Sequence, residues 1–235
     1  MISFQNISKS FGKLQVLQRV NLNIETPGIY AILGPNGSGK TTLIKSFMGM
    51  VHPDAGDIIW QGKSVLKHWQ YRENISYLPQ IANFPKNVSV GELIQFIKNL
   101  RQKPSDETPF VSQFQLAPFL HKKLGNLSGG TKQKVNLLLA FMTDNPVVVL
   151  DEPTSGLDPA AMQVLKHILK SEKEKGKTIL MTSHVMDFVE EISDEVVYLL
   201  EGKIHFCGTV DALKNQTQTQ TIEMAIAQLI IKEHA

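Results

Sequence analysis

Apolar and polar residues alternate through MISFQNISKSF (residues 1–11) and VLQRVNLNIE (16–25), the period-two pattern of strands with one buried face. The pattern then changes to short, nearly continuous apolar runs at GIYAILG (28–34), PVVVLD (146–151), TILMTS (178–183) and EVVYLL (195–200). Runs of this kind predict central strands of a mostly parallel sheet, covered by helices on both faces. DIIW (57–60) and ISYLP (75–79) add two further strands. Directly after GIYAILG, the apolar residues Leu43, Ile44, Phe47 and Met48 recur at helical spacing, so a strand, a glycine-rich turn and a helix follow in succession.

Residues 84–145 carry only helical patterns, such as VGELIQFIKNLR, and turn signals, such as KPSDETP. The expectation is one α/β domain over residues 1–235, with core segments at 1–83 and 146–215. A helical subdomain is inserted at 84–145, an antiparallel β edge flanks the sheet, and a C-terminal helix falls within 216–235. The charge run SEKEKGK (171–177) predicts a solvated helix end stopped by Gly176. IEMAIAQLIIK predicts an amphipathic helix packed on the core.

Composition narrows the class. With 42% hydrophobic and 20% charged side chains, the chain has enough apolar residues for a core and does not read as disordered. A net charge of +2 is too small to call for a nucleic-acid or anionic-membrane surface. Cys207, the single cysteine, sits in the strand-like KIHFCGTV as a packing residue and points to a reducing compartment. No signal-peptide pattern opens the sequence, and no segment approaches the roughly 18–20 consecutive apolar residues of a spanning helix. Work at a membrane therefore calls for a partner that crosses it.

Chemistry concentrates in GPNGSGKT, which follows a predicted strand and opens a predicted helix. Gly34, Gly37 and Gly39 allow successive backbone N–H groups to turn inward around phosphate oxygens, with Pro35, Asn36 and Ser38 completing the loop. Lys40 reaches the β- and γ-phosphates, the Thr41 hydroxyl binds Mg²⁺, and Thr42 continues the helix start. The second element, PVVVLDEP, delivers two acids from an apolar strand: Asp151 to hold Mg²⁺, and Glu152 to orient or deprotonate a water attacking the γ-phosphate. LSGGTKQK places two more glycines at a helix start, although one phosphate loop is already complete.

The order of these motifs, with Gln80 in SYLPQ, SGLDP after Glu152 and His184 in TSHV, resembles the ATP-binding-cassette ATPases over essentially the whole chain. The resemblance implies that Phe11 stacks on adenine and that Gln80 links Mg²⁺ to the helical subdomain. It also implies that Leu127, Ser128, Gly129, Gly130 and Thr131 form the signature, that Ser155, Gly156, Leu157 and Asp158 form the dimer-contacting loop, and that His184 contacts the γ-phosphate. In that family the signature closes over ATP held by another subunit, which would explain the second glycine pair. Two departures stand out: phenylalanine replaces the usual tyrosine at 11, and threonine replaces the usual glutamine at 131. LSGGTKQK further resembles the ATPase of the exporter that supports copper-site maturation of nitrous-oxide reductase.

The expectation that follows is a Mg²⁺-dependent ATP hydrolase that powers an exporter. It would work as a homodimer with separately encoded transmembrane permease subunits, cytoplasmic and peripheral on the inner face of the membrane. Phe84, Val88, Val90 and Leu93 are available to line a docking groove for those subunits. Other exporter cargoes, including drugs and other small molecules, and a soluble cassette acting on ribosomes or DNA are the alternatives. A single cassette without sustained heptads argues against the soluble alternative, and no nucleic-acid partner is expected. His52, His68, His121, His167 and His205 lack metal-ligand spacing, so copper is not expected on this chain.

Overall fold

A computed structural model describes residues 1–81 and 83–233. The chain opens with β1 (Ile2–Phe11), β2 (Leu14–Ile24), β3 (Gly28–Leu33) and α1 (Lys40–Phe47). Next come β4 (Ala55–Trp60), β5 (Lys63–Ser64) and β6 (Ile75–Leu78), then α2 (Val90–Arg101), α3 (Thr108–Gln113) and α4 (Gly129–Phe141). The remainder runs β7 (Val147–Asp151), α5 (Pro159–Glu174), β8 (Thr178–Thr182), α6 (Met186–Ile192), β9 (Glu195–Leu200), β10 (Lys203–Gly208), α7 (Val210–Thr217) and α8 (Ile222–Glu233). The expected core and terminal-helix boundaries take in Ala82, His234 and Ala235, which lie outside the described residues.

Two sheets form. One has the order β10-β9-β3-β8-β7-β6, parallel except for β10 at its edge. The other, β2-β1-β4-β5, is antiparallel throughout. The antiparallel strands thus make a sheet of their own instead of only an edge, as suits alternating sequences that leave one face to water. Alternation within the continuous apolar runs separates two cores. Ile29, Ala31 and Leu33 of β3 join one core with α4 and α5, while Tyr30 and Ile32 join the other with α1 and the antiparallel sheet. Both faces of the parallel sheet are therefore covered, which is why its strands read as unbroken apolar sequence.

Three local expectations are corrected. Gly176, at φ 80°, does stop α5, but the charge run is not wholly solvated: Glu172 and Lys177 are buried and paired with each other. Lys177 also reaches Asp144 at 2.6 Å. Cys207 lies on β10 as read, but its side chain is exposed because it sits on the outward face of an edge strand. Val90 opens α2 fully buried and so cannot line a surface groove. Its neighbour Ser89 caps that helix in a capping box with Glu92, which turns the first residue inward.

Candidate functional site

The parallel strands end on one side of the sheet, and four of the sequence motifs sit at or just past such an end. β3 leads into the phosphate loop, β6 into Gln80, β7 into Asp151 and Glu152, and β8 into His184. This is the location at which open α/β sheets bind ligands.

Glycine is demanded by two positions in the loop. At Gly34, φ is 147° and a Cβ would stand 2.0 Å from the Leu199 carbonyl oxygen on β9. At Gly39, φ is 108° and a Cβ would meet the Val16 carbonyl at 2.8 Å. Lys40 folds its ammonium back onto the loop, donating to the Gly34 carbonyl (2.7 Å) and the Pro35 carbonyl (3.0 Å). Two of its three donors are thereby used and one remains for a ligand. Burial pushes the Lys40 ammonium below the ordinary lysine range, and the carboxylates of Glu152 and Asp151 oppose that shift.

Asp151 is fixed from two sides: its Oδ1 accepts from Thr182 Oγ1 at 2.7 Å and from Thr41 Oγ1 at 3.3 Å. The same Thr182 hydroxyl accepts from the backbone N–H of Glu152 at 2.9 Å. Glu152 occupies the left-handed region at φ 54°, a strained placement for a non-glycine residue. His184 is 71% exposed and holds Nδ1 2.8 Å from Glu152 Oε2. Among the described residues Glu152 Oε2 has no hydrogen-bond partner, His184 being its near neighbour.

Phe11, Asn36, Gly37, Gly39, Lys40, Thr41, Thr42, Gln80 and Glu152 line one cavity of about 450 Å³, joined by Leu14 and Val16. The last two were not singled out in the sequence; their place next to Phe11 on the facing strand is the only signal that marks them. Phe11 presents a half-exposed ring with Lys9 Nζ 5.4 Å from its centroid. Among the described residues Ser38 Oγ and Asp151 Oδ2 are buried without hydrogen-bond partners. Orphaned oxygens next to a phosphate loop are what a polyphosphate and a hard cation would satisfy. The oxygen donors of Thr41, Asp151 and Gln80 fit Mg²⁺, so the residues present fit a nucleoside triphosphate with that ion.

The signature lies apart from this lining. Ser128 caps α4, accepting from the Thr131 N–H at 3.3 Å and sharing a 2.9 Å hydroxyl contact with Thr131 Oγ1. Leu127 is buried beneath it, while Ser128 and Gly129 are exposed. Gly130 packs on the loop after Glu152, where an added Cβ would stand 2.7 Å from the Gly156 carbonyl. In that loop the Ser155 and Leu157 N–H groups donate to the Glu152 and Thr154 carbonyls, and Asp158 caps α5. A second, more apolar cavity of about 720 Å³ opens beside α2, with Phe84, Val88, Leu93, Phe96, Ile97 and Leu139 among its walls.

A model of the ABC transporter family matches residues 17–155, from β2 through GPNGSGKT and LSGGTKQK to Ser155. The chain belongs to the ABC transporter family. This ABC chain is 33% identical over 219 residues to the lantibiotic transport ATP-binding protein SrtF of Streptococcus pyogenes, covering 92% of the chain and 93% of that protein. It is 35% identical over 208 residues to the Nod factor export ATP-binding protein I of Burkholderia lata, covering 86% of the chain and 68% of that protein. Among solved structures, the ATP-binding subunit of an ABC transporter superposes with a TM-score of 0.91 at 26% identity, covering 98% of this chain and 99% of that one. A dimeric bacterial ABC transporter cassette gives 0.79 at 23% identity over 89% of this chain and 98% of that one, and so speaks to the fold alone. The ABC chain is an ATP hydrolase with the nucleotide-binding-domain fold. Among the described residues no helix is long and apolar enough to cross a membrane.

Proposed function

We propose that this ABC ATPase is the energy-converting subunit of an exporter, acting as a head-to-tail homodimer on separately encoded transmembrane subunits at the inner face of the membrane. The observation that carries this is the incompleteness of the site. Ser128 and Gly129 open a helix toward solvent and do not line the cavity that Gly37, Gly39, Lys40, Thr41, Gln80 and Glu152 share. A helix start of that kind suits an anion, and the anion of a second subunit's nucleotide completes the arrangement.

In this reading Phe11 offers its ring face to the base. Lys40 and the N–H groups of the loop hold phosphate oxygens, while Thr41, Asp151 and Gln80 hold Mg²⁺, which neutralises phosphate charge. Glu152 orients or deprotonates the attacking water through its open carboxylate oxygen, and His184 donates a hydrogen bond to the γ-phosphate. Ser155 to Asp158 face the second subunit. The apolar cavity beside α2, at the far end of the segment that begins with Gln80, is the docking groove for the membrane subunits. Support for export comes from the relatives, whose names assign them lantibiotic transport and Nod factor export. A narrower cargo role, copper-site maturation of nitrous-oxide reductase, rests on the LSGGTKQK signature alone.

The dimer is tested by Glu152→Gln, which slows the step that reopens it. At saturating ATP and Mg²⁺ the variant doubles its mass in light scattering; a variant that stays monomeric under those conditions overturns the reading.

A further inference from the structure

The helix that opens at the signature also reaches the catalytic end of the sheet. Gly130, Gln133, Lys134 and Leu137 fall at helical spacing on one face of α4. Gln133 Nε2 donates to the Pro153 carbonyl at 3.0 Å, and Asn136 Nδ2 donates to the Pro79 carbonyl at 3.2 Å. Both amide side chains are nearly sealed from water, at 6% and 4% exposure. Pro153 directly follows Glu152, and Pro79 directly precedes Gln80. Gly130, one turn before Gln133, lies where an added Cβ would stand 2.7 Å from the Gly156 carbonyl, and Lys134, next to Gln133, pairs with Asp158 at 2.7 Å.

An apolar helix face can slide over a sheet end; directional amide bonds to two carbonyls cannot slide without breaking. Between the Pro153 carbonyl and Glu152 the ring locks φ, and the Pro79 carbonyl is joined to Gln80 by the planar peptide bond itself, so a pull meets few soft torsions before it reaches either neighbour. We propose that Gln133 and Asn136 are positioning residues that carry engagement of Ser128 with the partner subunit's nucleotide into Glu152 and Gln80 of their own chain. This rests on the paired-subunit reading above. The exposed end of α4 senses closure, and its buried amides set the two strand ends from which the water-activating carboxylate and the metal-linked glutamine extend. Each subunit's hydrolysis is then tied to whether its signature is occupied, which keeps the two sites in step.

Gln133→Met and Asn136→Leu keep side-chain volume and remove the donors. Each is made in two backgrounds: Glu152→Gln, where light scattering against ATP concentration reads closure, and the natural Glu152, where single-turnover phosphate release reads the chemistry. The expected result is a split, with half-maximal closure within about twofold of the parent and hydrolysis per dimer slowed about tenfold or more. Unchanged hydrolysis in both variants overturns the inference, and so does an equal loss of closure and hydrolysis, the signature of a merely structural role. If one variant fails to fold, the other reads the same split through its own carbonyl. A parent Glu152→Gln protein that stays monomeric overturns the paired reading and takes this inference with it, whereas a dimer with unchanged hydrolysis overturns this inference alone.

Discussion

One hydroxyl, that of Thr182, organises both acids of the site. It donates to Asp151 and accepts from the N–H of Glu152, so it fixes a carboxylate and the backbone of a residue held at left-handed φ. Thr182→Val keeps the shape and removes both bonds, leaving Asp151 Oδ1 with the longer Thr41 contact. Steady-state phosphate release is expected to fall by about tenfold or more, with a raised Mg²⁺ requirement, while Thr182→Ser restores most of it. A valine variant with undiminished turnover would show that Asp151 and Glu152 are placed without Thr182. Lys40, Asp151, Glu152 and His184 stand out in the sequence because phosphate chemistry calls for these residue types in this order, and the fold brings them to neighbouring strand ends. Thr182 does not: within TILMTS it reads as another β-branched strand residue, and only the pairing of β7 with β8 puts it opposite Asp151. The strain at Glu152 was equally hidden, since nothing in DEP announces a positive φ.

At the scale of elements, period and continuity of apolar sequence located the strands and the helix after the phosphate loop, because each reports how many faces are buried. Charge misled at SEKEKGK, where local sequence describes a solvated helix end and the return into β8 folds Lys177 back over Glu172. The corner between α5 and β8 is thus closed by an ion pair withdrawn from water, with Asp144 as the second acceptor for Lys177. Glu172→Gln leaves a buried ammonium with one exposed partner and is expected to cost about 2–3 kcal/mol in urea unfolding. A loss below about 0.5 kcal/mol would mean that Asp144 and solvent hold Lys177 as well as Glu172 does. The pair lies at the start of β8, far along the strand from Thr182, so the loss is one of stability and not of site geometry.

At the scale of the molecule, the chain joins the candidate nucleotide site at one end of the parallel sheet to an apolar surface beside α2. The connection runs from β6 through Gln80 to the segment that carries Phe84 and Val88, and the cavity there exposes apolar walls that the core leaves unfilled. Phe96 is 61% exposed in that wall, and Leu100 stands exposed one turn further along α2. Large apolar side chains placed together at the surface of an otherwise well-packed domain mark a partner. Phe96→Glu puts a charge where an apolar partner surface would have to bury it without a counterion, a large penalty for association and a small one for the free chain. The variant is expected to melt within about 2 °C of the natural protein, since an exposed substitution shifts stability by only about 0.5 kcal/mol. Purified in mild detergent from its native cells, the natural chain should bring an integral membrane protein in stoichiometric amount, and Phe96→Glu should come without it. Retention of the membrane protein by the variant would move the docking surface away from α2. Ribosomal or DNA-bound companions in place of a membrane subunit would replace the exporter with a soluble machine driven by the same ATP site.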